Sequence, residues 1–576
     1  MTSRRGGGAS TGDRLAGAHR IRATPPEPPT FVRRNMMFPS SNPLANRTFV
    51  ELLRSRAEQH GARTACTFLI DGESAVRTFS YAELDHRAQC IGSWLQTRGG
   101  TGRPVLLVYP PGLDFVAAFF GCLYAGAIAV PACPPRHDGD TGRICCLVSD
   151  ADVSLALTTR ELLPQIAAQM KVAPLLARPQ WQATDELDGT WARTWQPPDV
   201  SADSLALLQY KHTSGSIGAP RGVMVTHGNL LENQRLITAA FGQSEAIVCV
   251  GWLPLHHSMG LIGNLLHPLY HGGHFVFMSP VAFVQQPIRW LRAITRYRGT
   301  LAGGPSVGYE LCVRGTSPHQ RAELELSSWE VAFTGAAQAQ HRTLRAFEAA
   351  FAPCHFAHNA FCPCYGLAEA TLLATGNVKG QPVVSLRLDA AALRRRRVEL
   401  APPDAARPSR TAPDQRDAQP IDVVSCGIPD PALDVRIVDP GSHVPCEAGQ
   451  IGEIWISGAT VAQGYWQNAE ATRESFQATL VQSVDDAPPH AYLRTGDLGF
   501  VHNDHLYVIG RFAEHAEHRE LLAAPSPLAD GSTVPSLACC LMGDCPDGWA
   551  ASLAGPQVHP LLGHRLELAG RELIYQ

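Results

Sequence analysis

The sequence predicts an α/β protein with two parallel-sheet αβα subdomains and a small β-barrel-like subdomain. Two observations predict this fold. Short apolar runs typical of buried strands alternate with helical patterns up to about residue 376, and β-rich runs with glycine and proline turns follow from about residue 424. Because strands that alternate with helices form parallel sheets with helices on both faces, two rounds of alternation predict two such layers.

The first round of alternation covers residues 48–158. Helices are predicted where apolar residues recur at helical spacing, over 48–59, 81–96 and 115–125. Buried strands are predicted where short runs are almost entirely apolar, over 103–109, 127–131 and 153–158. These elements alternate along the chain in the order that a covered parallel sheet requires.

The second round runs from residue 205 to about residue 376, and the β-rich part follows it. Strands of the second round are predicted over 205–210, 248–253, 275–278, 301–304 and 330–335. Short β-rich runs lie at 435–438, 453–457 and 506–509. Residues 381–421 separate the two parts, are rich in Arg, Ala and Pro, and have weak periodicity; the arginine run at 394–397 is interpreted as a solvated face.

Charge and cysteine content narrow the classes of partner and compartment. A net charge of −4 and a pI near 6.6 give no electrostatic reason to expect nucleic acid or an anionic membrane as partner. No apolar run reaches the ~18 residues that a membrane span requires. The 16 cysteines lack zinc-site spacing, so we expect free thiols in a reducing cytoplasm, with Cys362-Pro-Cys364 only a weak metal candidate.

A phosphate-binding loop is predicted directly after the strand at 205–210. The chain there becomes rich in glycine and hydroxyl residues, whose backbone N–H groups can approach phosphate oxygens closely. Arg221 adds a positive charge, and the GxxxxGK[ST] spacing of a Walker A loop is missing. A flexible surface linker is the alternative interpretation. The candidate phosphate-binding residues are Thr213, Ser214, Gly215, Ser216, Gly218, Arg221 and Gly222.

This loop resembles the phosphate-binding motif of the adenylate-forming superfamily, which comprises acyl-CoA synthetases, luciferases and adenylation domains. On the acyl side, residues 252–263 (Trp-Leu-Pro-Leu-His-His-Ser-Met-Gly-Leu-Ile-Gly) resemble the segment whose histidine, here His257, lies beside the acyl pocket. Residues 302–305 (Ala-Gly-Gly-Pro) resemble the next turn of that pocket. The resemblance implies that His257 is a catalytic candidate, although a histidine of the pocket wall is equally compatible.

On the nucleotide side, further motifs follow in the order of the superfamily. Residues 333–336 (Phe-Thr-Gly-Ala) resemble the strand end that flanks adenine. Residues 365–371 (Tyr-Gly-Leu-Ala-Glu-Ala-Thr) resemble the segment that stacks on adenine and supplies a magnesium-binding glutamate. Residues 495–497 (Thr-Gly-Asp) resemble the ribose-binding motif. The resemblance implies that Glu369 is both catalytic and a metal ligand, as Arg221 is catalytic at the phosphates. It implies nucleotide contacts from Gly335, Ala336, Tyr365, Gly366, Leu367, Asp497 and Arg511.

Within the superfamily, the sequence is most similar to fatty acyl-AMP ligases. Residues 109–115 (Tyr-Pro-Pro-Gly-Leu-Asp-Phe), residues 278–280 (Met-Ser-Pro) and the insertion-like stretch after residue 375 carry this similarity. It implies ATP and Mg²⁺ as cofactors and a long-chain fatty acid as substrate. The product is then acyl-AMP, made with release of pyrophosphate for an acyl carrier protein or a polyketide or peptide megasynthase. A fatty acyl-CoA ligase and a catalytically degenerate nucleotide- or acyl-binding homologue remain as alternatives.

The resemblance also divides the chain into four parts. Residues 1–46 are expected to be a disordered tail, because they are rich in Arg, Gly, Ser and Pro. Residues 47–380 are expected to hold the nucleotide- and acyl-binding subdomains, and residues 381–511 the insertion-like stretch and the β-rich subdomain. Residues 512–576 contain no lysine and match the family's lid poorly, so a degenerate or truncated C-terminal segment is expected.

Several positions depart from the family's usual residues. Arg221 replaces a usual lysine, which keeps the charge but not the compact ammonium group. Ile217 removes a hydroxyl beside the phosphates. The other departures lie at Lys211 and His212, at Ser258, at Ala337 and Gln338, and at Phe512 to Glu514.

Overall fold

A computed structural model describes residues 48–135, 141–211, 221–243, 246–335, 339–402, 420–481 and 490–511 of the protein. The predicted tail at 1–46 and the predicted C-terminal segment at 512–576 lie outside the described residues. The described α-helices are α1 (Phe49–His60), α2 (Tyr81–Thr97), α3 (Leu113–Ala125), α4 (Thr141–Asp150), α5 (Leu163–Met170), α6 (His227–Phe241), α7 (His267–His271), α8 (Pro280–Gln285), α9 (Ile288–Tyr297), α10 (Ser306–Gly315), α11 (Pro318–Arg321), α12 (His341–Phe351), α13 (Ala390–Arg394) and α14 (Ala469–Phe476).

The described strands alternate with these helices as predicted. They are β1 (Thr64–Leu69), β2 (Val76–Ser80), β3 (Pro104–Val108), β4 (Ile128–Ala132), β5 (Leu155–Thr158), β6 (Gln180–Ala183), β7 (Leu205–Lys211), β8 (Arg221–Thr226), β9 (Val248–Gly251), β10 (His274–Met278), β11 (Leu301–Gly303), β12 (Val331–Thr334), β13 (Phe361–Gly366), β14 (Leu373–Gly376), β15 (Ser385–Leu388), β16 (Ile421–Val424), β17 (Ile428–Pro429), β18 (Asp434–Val438), β19 (Gly452–Ser457), β20 (Leu493–His502) and β21 (His505–Arg511). Short 3-10 helices lie at Pro174–Ala177, Thr184–Glu186, Gly189–Thr194, Ala352–Cys354 and Ala368–Ala370, and a π-helix covers Met259–Leu266.

Two large, mainly parallel sheets confirm the predicted fold class. One has six strands in the order β6-β5-β3-β4-β7-β8, and only its edge pair β7–β8 is antiparallel. The other has nine strands in the order β17-β14-β13-β12-β11-β9-β10-β1-β2. Its six central strands are parallel, whereas β2 at one edge and β14 near the other run antiparallel to them, and the short edge strand β17 pairs antiparallel with β14.

The chain exchanges strands between these sheets, which the predicted order of two separate rounds did not include. Strands β1 and β2 from the start of the chain pair with the second-round strand β10 and extend the nine-stranded sheet. In return, the second-round strands β7 and β8 join β4 in the six-stranded sheet. Apolar periodicity shows where a strand lies but carries no information on its partner, so this exchange was not visible in the sequence.

The predicted β-rich part forms a third, antiparallel layer. Strands β18 to β21 make a four-stranded meander in chain order. The insertion-like stretch supplies the two-stranded ladder β15–β16 and helix α13, and it shares a small apolar core with this sheet. That core contains Leu388, Leu393, Val423, Ile451, Leu498, Phe500, Tyr507 and Ile509.

Capping residues and one close contact between helices position the helices near the start of the chain. Thr48 with Glu51 and Ser80 with Glu83 form capping boxes that begin α1 and α2. Helix α3 is almost wholly apolar and buried, so other elements cover it on every side. Gly121 lets α3 approach α2, since a Cβ there would lie 2.4 Å from Cγ2 of Ile91.

The thirteen described cysteines are all free thiols. Burial raises the pKa of the Cys362 thiol to about 12, which disfavours the thiolate that would bind a metal. Within the described part of the chain, no helix has the length and apolar character needed to span a lipid bilayer.

Two buried histidines, His227 and His267, and two half-buried ones, His271 and His274, predict a loss of stability in mild acid. Burial lowers the pKa of His227, His271 and His274 to about 4 and that of His267 well below its usual range. These groups bind protons near pH 6.5 in the unfolded chain but stay neutral in the folded one, so their contribution to stability is complete above pH 6.5 and is lost as the pH falls towards 4. For His227 alone, the loss at pH 5 is about 2 kcal/mol.

Urea unfolding between pH 7.5 and 5 checks this expectation. The unfolding free energy of the parent protein should fall steeply over this interval. His227→Asn keeps an acceptor for the Phe49 N–H, which donates to His227 Nδ1 at 3.3 Å, and should flatten the slope by about one proton. An unchanged slope in His227→Asn would show that this histidine is not buried in its neutral form.

Candidate active site

The segments that carry the predicted motifs lie at the carboxyl ends of the strands of the nine-stranded sheet, which form one edge of it. Strands β9, β11, β12 and β13 are parallel, so their carboxyl ends all lie at the same edge. The segment with His257 follows β9, the Gly-Gly-Pro turn follows β11, Gly335 follows β12, and Tyr365 lies near the end of β13. Ligands of open α/β sheets bind outside the carboxyl ends of such strands. The topology therefore places these candidate residues at one binding edge.

Tyr365, Asp497 and Arg511 form one connected group at this edge. The Tyr365 hydroxyl donates to Oδ2 of Asp497 at 2.7 Å, and Nε of Arg511 lies 3.6 Å from Oδ1. Burial, together with the neighbouring Asp497 carboxylate, raises the pKa of Tyr365 well above its usual range, so the phenol stays protonated. Asp497 and Arg511 are directly opposite each other on β20 and β21. This group places an aromatic ring in direct contact with a carboxylate.

A buried carboxylate on the next strand fixes the turn that carries Asp497. Glu453 on β19 is 2% exposed, and its carboxylate accepts from Gly496 N, from Trp455 Nε1 and twice from Arg494. Thr495 Oγ1 in turn accepts from Asp497 N at 3.1 Å. The backbone at Asp497 is therefore held by side chains as well as by the strand ladder.

Glu369 and Arg221 are linked through a tyrosine that the sequence analysis missed. The hydroxyl of Tyr465 donates to Oε1 of Glu369 at 2.9 Å, and the guanidinium of Arg221 lies 5.3 Å from the centre of the Tyr465 ring. Burial and the Glu369 carboxylate raise the pKa of Tyr465, so it remains a donor. Tyr465 also bridges to Val223 on β8, and Trp466 N donates to Gly222 O at 2.7 Å. This arrangement brings the start of β8, which follows the predicted phosphate-binding loop, beside Glu369, the candidate metal ligand.

Three of the predicted glycines lie where a side chain would not fit. A Cβ on Gly366 would lie 1.7 Å from Leu372 O, and one on Gly335 would lie 3.0 Å from Sγ of Cys364. A Cβ on Gly222 would lie 2.8 Å from the Tyr210 ring. At Gly366 the neighbour is backbone, so this position requires glycine, whereas at Gly335 and Gly222 the neighbours are side-chain atoms of Cys364 and Tyr210 that would have to move.

The segment of His257 ends in a rare helix type. Met259–Leu266 forms a π-helix, a feature that often lies at functional sites. His257 is half-buried, and Met259 N donates to its Nδ1 at 3.4 Å. Met259, Leu261 and Ile262 of the same segment are all buried. The catalytic role of His257 stays a prediction.

The other predicted residues divide into described and undescribed positions. Leu367 is half-buried beside the exposed Gly366. Thr213, Ser214, Gly215, Ser216, Gly218 and Ala336 lie outside the described residues.

The residues that were missed had weak signals in the sequence. Tyr465 and Trp466 follow Gly464 as an aromatic pair inside an otherwise polar stretch, which is the pattern of a side chain held against another element. Glu453 is a charged residue within an apolar strand, and a buried charge normally has a specific partner. Neither pattern identifies the partner, so only the structure shows it.

The residues at this edge fit a magnesium ion bound jointly with a substrate. Across the described part of the chain, no three or more His, Cys, Asp or Glu side chains are grouped to hold a metal. Magnesium is commonly held by one or two carboxylates, several waters and substrate phosphates, so a single buried carboxylate beside a phosphate loop is sufficient. Glu369, which is 5% exposed, is the candidate for that carboxylate.

Comparison with known proteins assigns the chain to a family. The AMP-binding enzyme family matches residues 53–466, which is more than half of the chain. The chain belongs to this family. It is 39% identical over 471 residues to the medium-chain-fatty-acid–[acyl-carrier-protein] ligase JamA of Moorena producens, covering 81% of this chain and 77% of that ligase. It is 33% identical to the corresponding ligase TtuA of Teredinibacter turnerae, with the same coverage of 81% and 77%.

Solved structures of AMP-binding enzymes have the same fold. A fatty acyl-adenylate ligase from L. pneumophila, solved with acyl adenylate and pyrophosphate, matches with a TM-score of 0.75 and 35% identity. The match covers 83% of this chain and 80% of that one. The predicted membership of the adenylate-forming superfamily is therefore confirmed, and with it the use of ATP.

Proposed function

We propose that the chain uses ATP to convert a fatty acid to its acyl-AMP, which then supplies the acyl group to an acyl carrier protein. The observation that carries this proposal is that the candidate residues form two groups of contacting side chains, Tyr365–Asp497–Arg511 and Glu369–Tyr465–Arg221. The relatives of the chain are named as fatty acid ligases, which agrees with it. One group suits a nucleoside and the other a phosphate with its metal. The nucleotide- and acyl-binding subdomains are then residues 47–380, as the sequence predicts.

In the proposed site, the nucleoside binds against Tyr365 and Asp497, which remain hydrogen-bonded to each other. The Tyr365 ring offers a flat face to adenine, and Gly335, Gly366 and Leu367 let the base approach the backbone. Asp497 accepts from the ribose hydroxyls, with its second oxygen near Arg511. Because Asp497 already accepts from a tyrosine in the described state, its orientation is fixed before the nucleotide arrives.

The proposed chemistry joins two anions. An oxygen of the fatty acid carboxylate attacks the α-phosphorus of ATP, and the bond from that phosphorus to the bridging oxygen of pyrophosphate breaks. Arg221 and the loop N–H groups from Thr213 to Gly222 offset the charge of the phosphates. When bound, magnesium supplies further charge stabilisation there. Glu369 is the residue that would hold it, with Tyr465 fixing the carboxylate.

The acyl chain is proposed to lie against the π-helix segment. Met259, Leu261 and Ile262 are buried apolar side chains beside His257 and form part of that environment. Each buried CH₂ contributes about 0.8 kcal/mol, which corresponds to about fourfold in affinity. The free thiols of the described chain suit the reducing cytoplasm, where such carriers would be met.

A fatty acid panel tests this function. The protein is mixed with MgATP and acids from acetate to palmitate, acyl-AMP is measured by mass spectrometry, and holo-acyl carrier protein or CoA is added as acceptor. We expect kcat/KM for acids of eight or more carbons to exceed that for acetate by at least about 100-fold. We also expect the acyl group to appear on the carrier protein. Preference for acetate, or for CoA as acceptor, would contradict the proposal.

A further inference from the structure

A strained turn directly follows the Glu369 segment. Thr371 has φ +69° and ψ −62°, and Leu372 N donates to Ala370 O at 2.9 Å, which defines a γ-turn centred on Thr371. A β-branched residue rarely adopts positive φ, because its side chain then meets the backbone. Such a conformation persists only where the surroundings over-determine it, and this occurs mainly at functional sites. The turn begins one residue after Glu369.

The turn is held by a buried amide from another element. Asn233 on α6 is 0% exposed, and its Nδ2 donates to Ala370 O at 3.2 Å and to Leu373 O at 2.9 Å. Its Oδ1 accepts from Leu373 N at 3.1 Å. Asn233 therefore pairs with the backbone on both sides of Thr371. The Thr371 hydroxyl adds a bond to Thr460 O at 2.7 Å.

The neighbouring residue on α6 provides an internal comparison. Gln234 is equally buried, but its Nε2 donates to Ile262 O at 3.2 Å and its Oε1 accepts from Nδ1 of His267 at 2.9 Å. It thus holds the π-helix segment on the acyl side. Two adjacent amides of one helix therefore fix two different parts of the site.

We propose that Asn233 is a positioning residue that maintains the γ-turn at Thr371 and thereby places the Glu369 carboxylate for magnesium. This inference rests on the metal role proposed for Glu369. Without Asn233, Thr371 can relax to negative φ, which rotates the peptide between Ala370 and Thr371. Glu369 is then displaced, although Ala462 N still donates to its backbone oxygen at 2.9 Å.

The test compares Asn233→Ala with the matched variant Gln234→Ala. Acyl-AMP formation is titrated with Mg²⁺, and binding of MgATP and of metal-free AMP is measured by calorimetry. In Asn233→Ala, the Mg²⁺ concentration for half-maximal rate and the Kd for MgATP should rise about tenfold, with the Kd for AMP changed less than about twofold. Gln234→Ala should instead raise KM for the fatty acid and leave the Mg²⁺ requirement within about twofold of the parent.

Two further variants keep the test decisive. Thr371→Val preserves shape but removes the bond to Thr460 O, so the Mg²⁺ requirement should rise here too, even if Asn233→Ala does not fold. An equal change in Asn233→Ala and Gln234→Ala, or no change in Asn233→Ala and Thr371→Val, overturns the inference. Glu369→Gln separates the metal role of Glu369 from the positioning role of Asn233. If Glu369→Gln abolishes Mg²⁺ dependence while the Asn233 and Thr371 variants do not alter it, only the positioning role fails. If Glu369→Gln also has no effect, the metal role fails and the inference with it.

Discussion

Glu369→Gln is expected to slow acyl-AMP formation by about 10²–10³-fold while the protein remains folded. The amide has the shape of the carboxylate, and its oxygen can still accept from the Tyr465 hydroxyl, which lies 2.9 Å from Oε1 in the parent. It cannot supply negative charge to magnesium. Two measurements check this expectation. The rate of pyrophosphate release tests the loss of activity, and the melting temperature tests whether the protein remains folded.

A second buried glutamate provides the matched control. Glu453 is as buried as Glu369, but its oxygens accept from Arg494, Trp455 and Gly496. Glu453→Gln leaves the partly exposed Arg494 without its counter-charge, so we expect a loss of about 2 kcal/mol in unfolding free energy. If Glu369→Gln loses stability like Glu453→Gln and keeps its activity, Glu369 is a structural residue.

Asp497→Ala is expected to weaken ATP and AMP binding by about 5- to 150-fold. Ribose hydroxyls without a partner in a buried site cost about 1–3 kcal/mol, which gives this range. The substitution also removes the acceptor of the Tyr365 hydroxyl and the counter-charge of Arg511. Calorimetric titration with AMP measures the affinity without the chemical step.

Tyr365→Phe separates the ribose contact from the tyrosine bond. This variant loses the hydroxyl that donates to Asp497 but keeps the ring, so AMP affinity should fall by less than about fivefold. Equal affinity of Asp497→Ala and the parent protein would remove Asp497 from the nucleotide site. An equally large loss in Tyr365→Phe would assign the effect to the tyrosine bond and not to ribose.

Some strands and helices could be predicted closely from the sequence. The strand predicted over 301–304 is Leu301–Gly303, and the helix predicted over 48–59 is Phe49–His60. These elements are buried on both faces or have one apolar face, so local periodicity defines them. Strands β1, β2, β8 and β13 were not predicted; β8, for example, is defined by its pairing with β7.

For the candidate site, the sequence predicted individual residues and their order along the chain, but not the contacts between them. The glutamate, tyrosine and aspartate were identified from family resemblance, and the structure brings Tyr365 into contact with Asp497. The supporting contacts were not predictable. Asn233 and Gln234 lie between Glu232 and Arg235 in α6, and a buried amide indicates a partner without naming it. The partner segments are far along the chain and join α6 only through the tertiary fold.

The exchange of strands between the two large sheets also sets the order in which the protein can fold on the ribosome. Cys66 on β1 pairs with Phe275 on β10, so the first strand has no parallel neighbour until residues 274–278 have been synthesised. The six-stranded sheet likewise waits for β7, which pairs with Ala129 through Leu207. Such long sequence separations slow folding and leave strand edges exposed meanwhile. An emerging chain that ends before β10 therefore has an open β1 edge, where a nascent-chain chaperone would find its target.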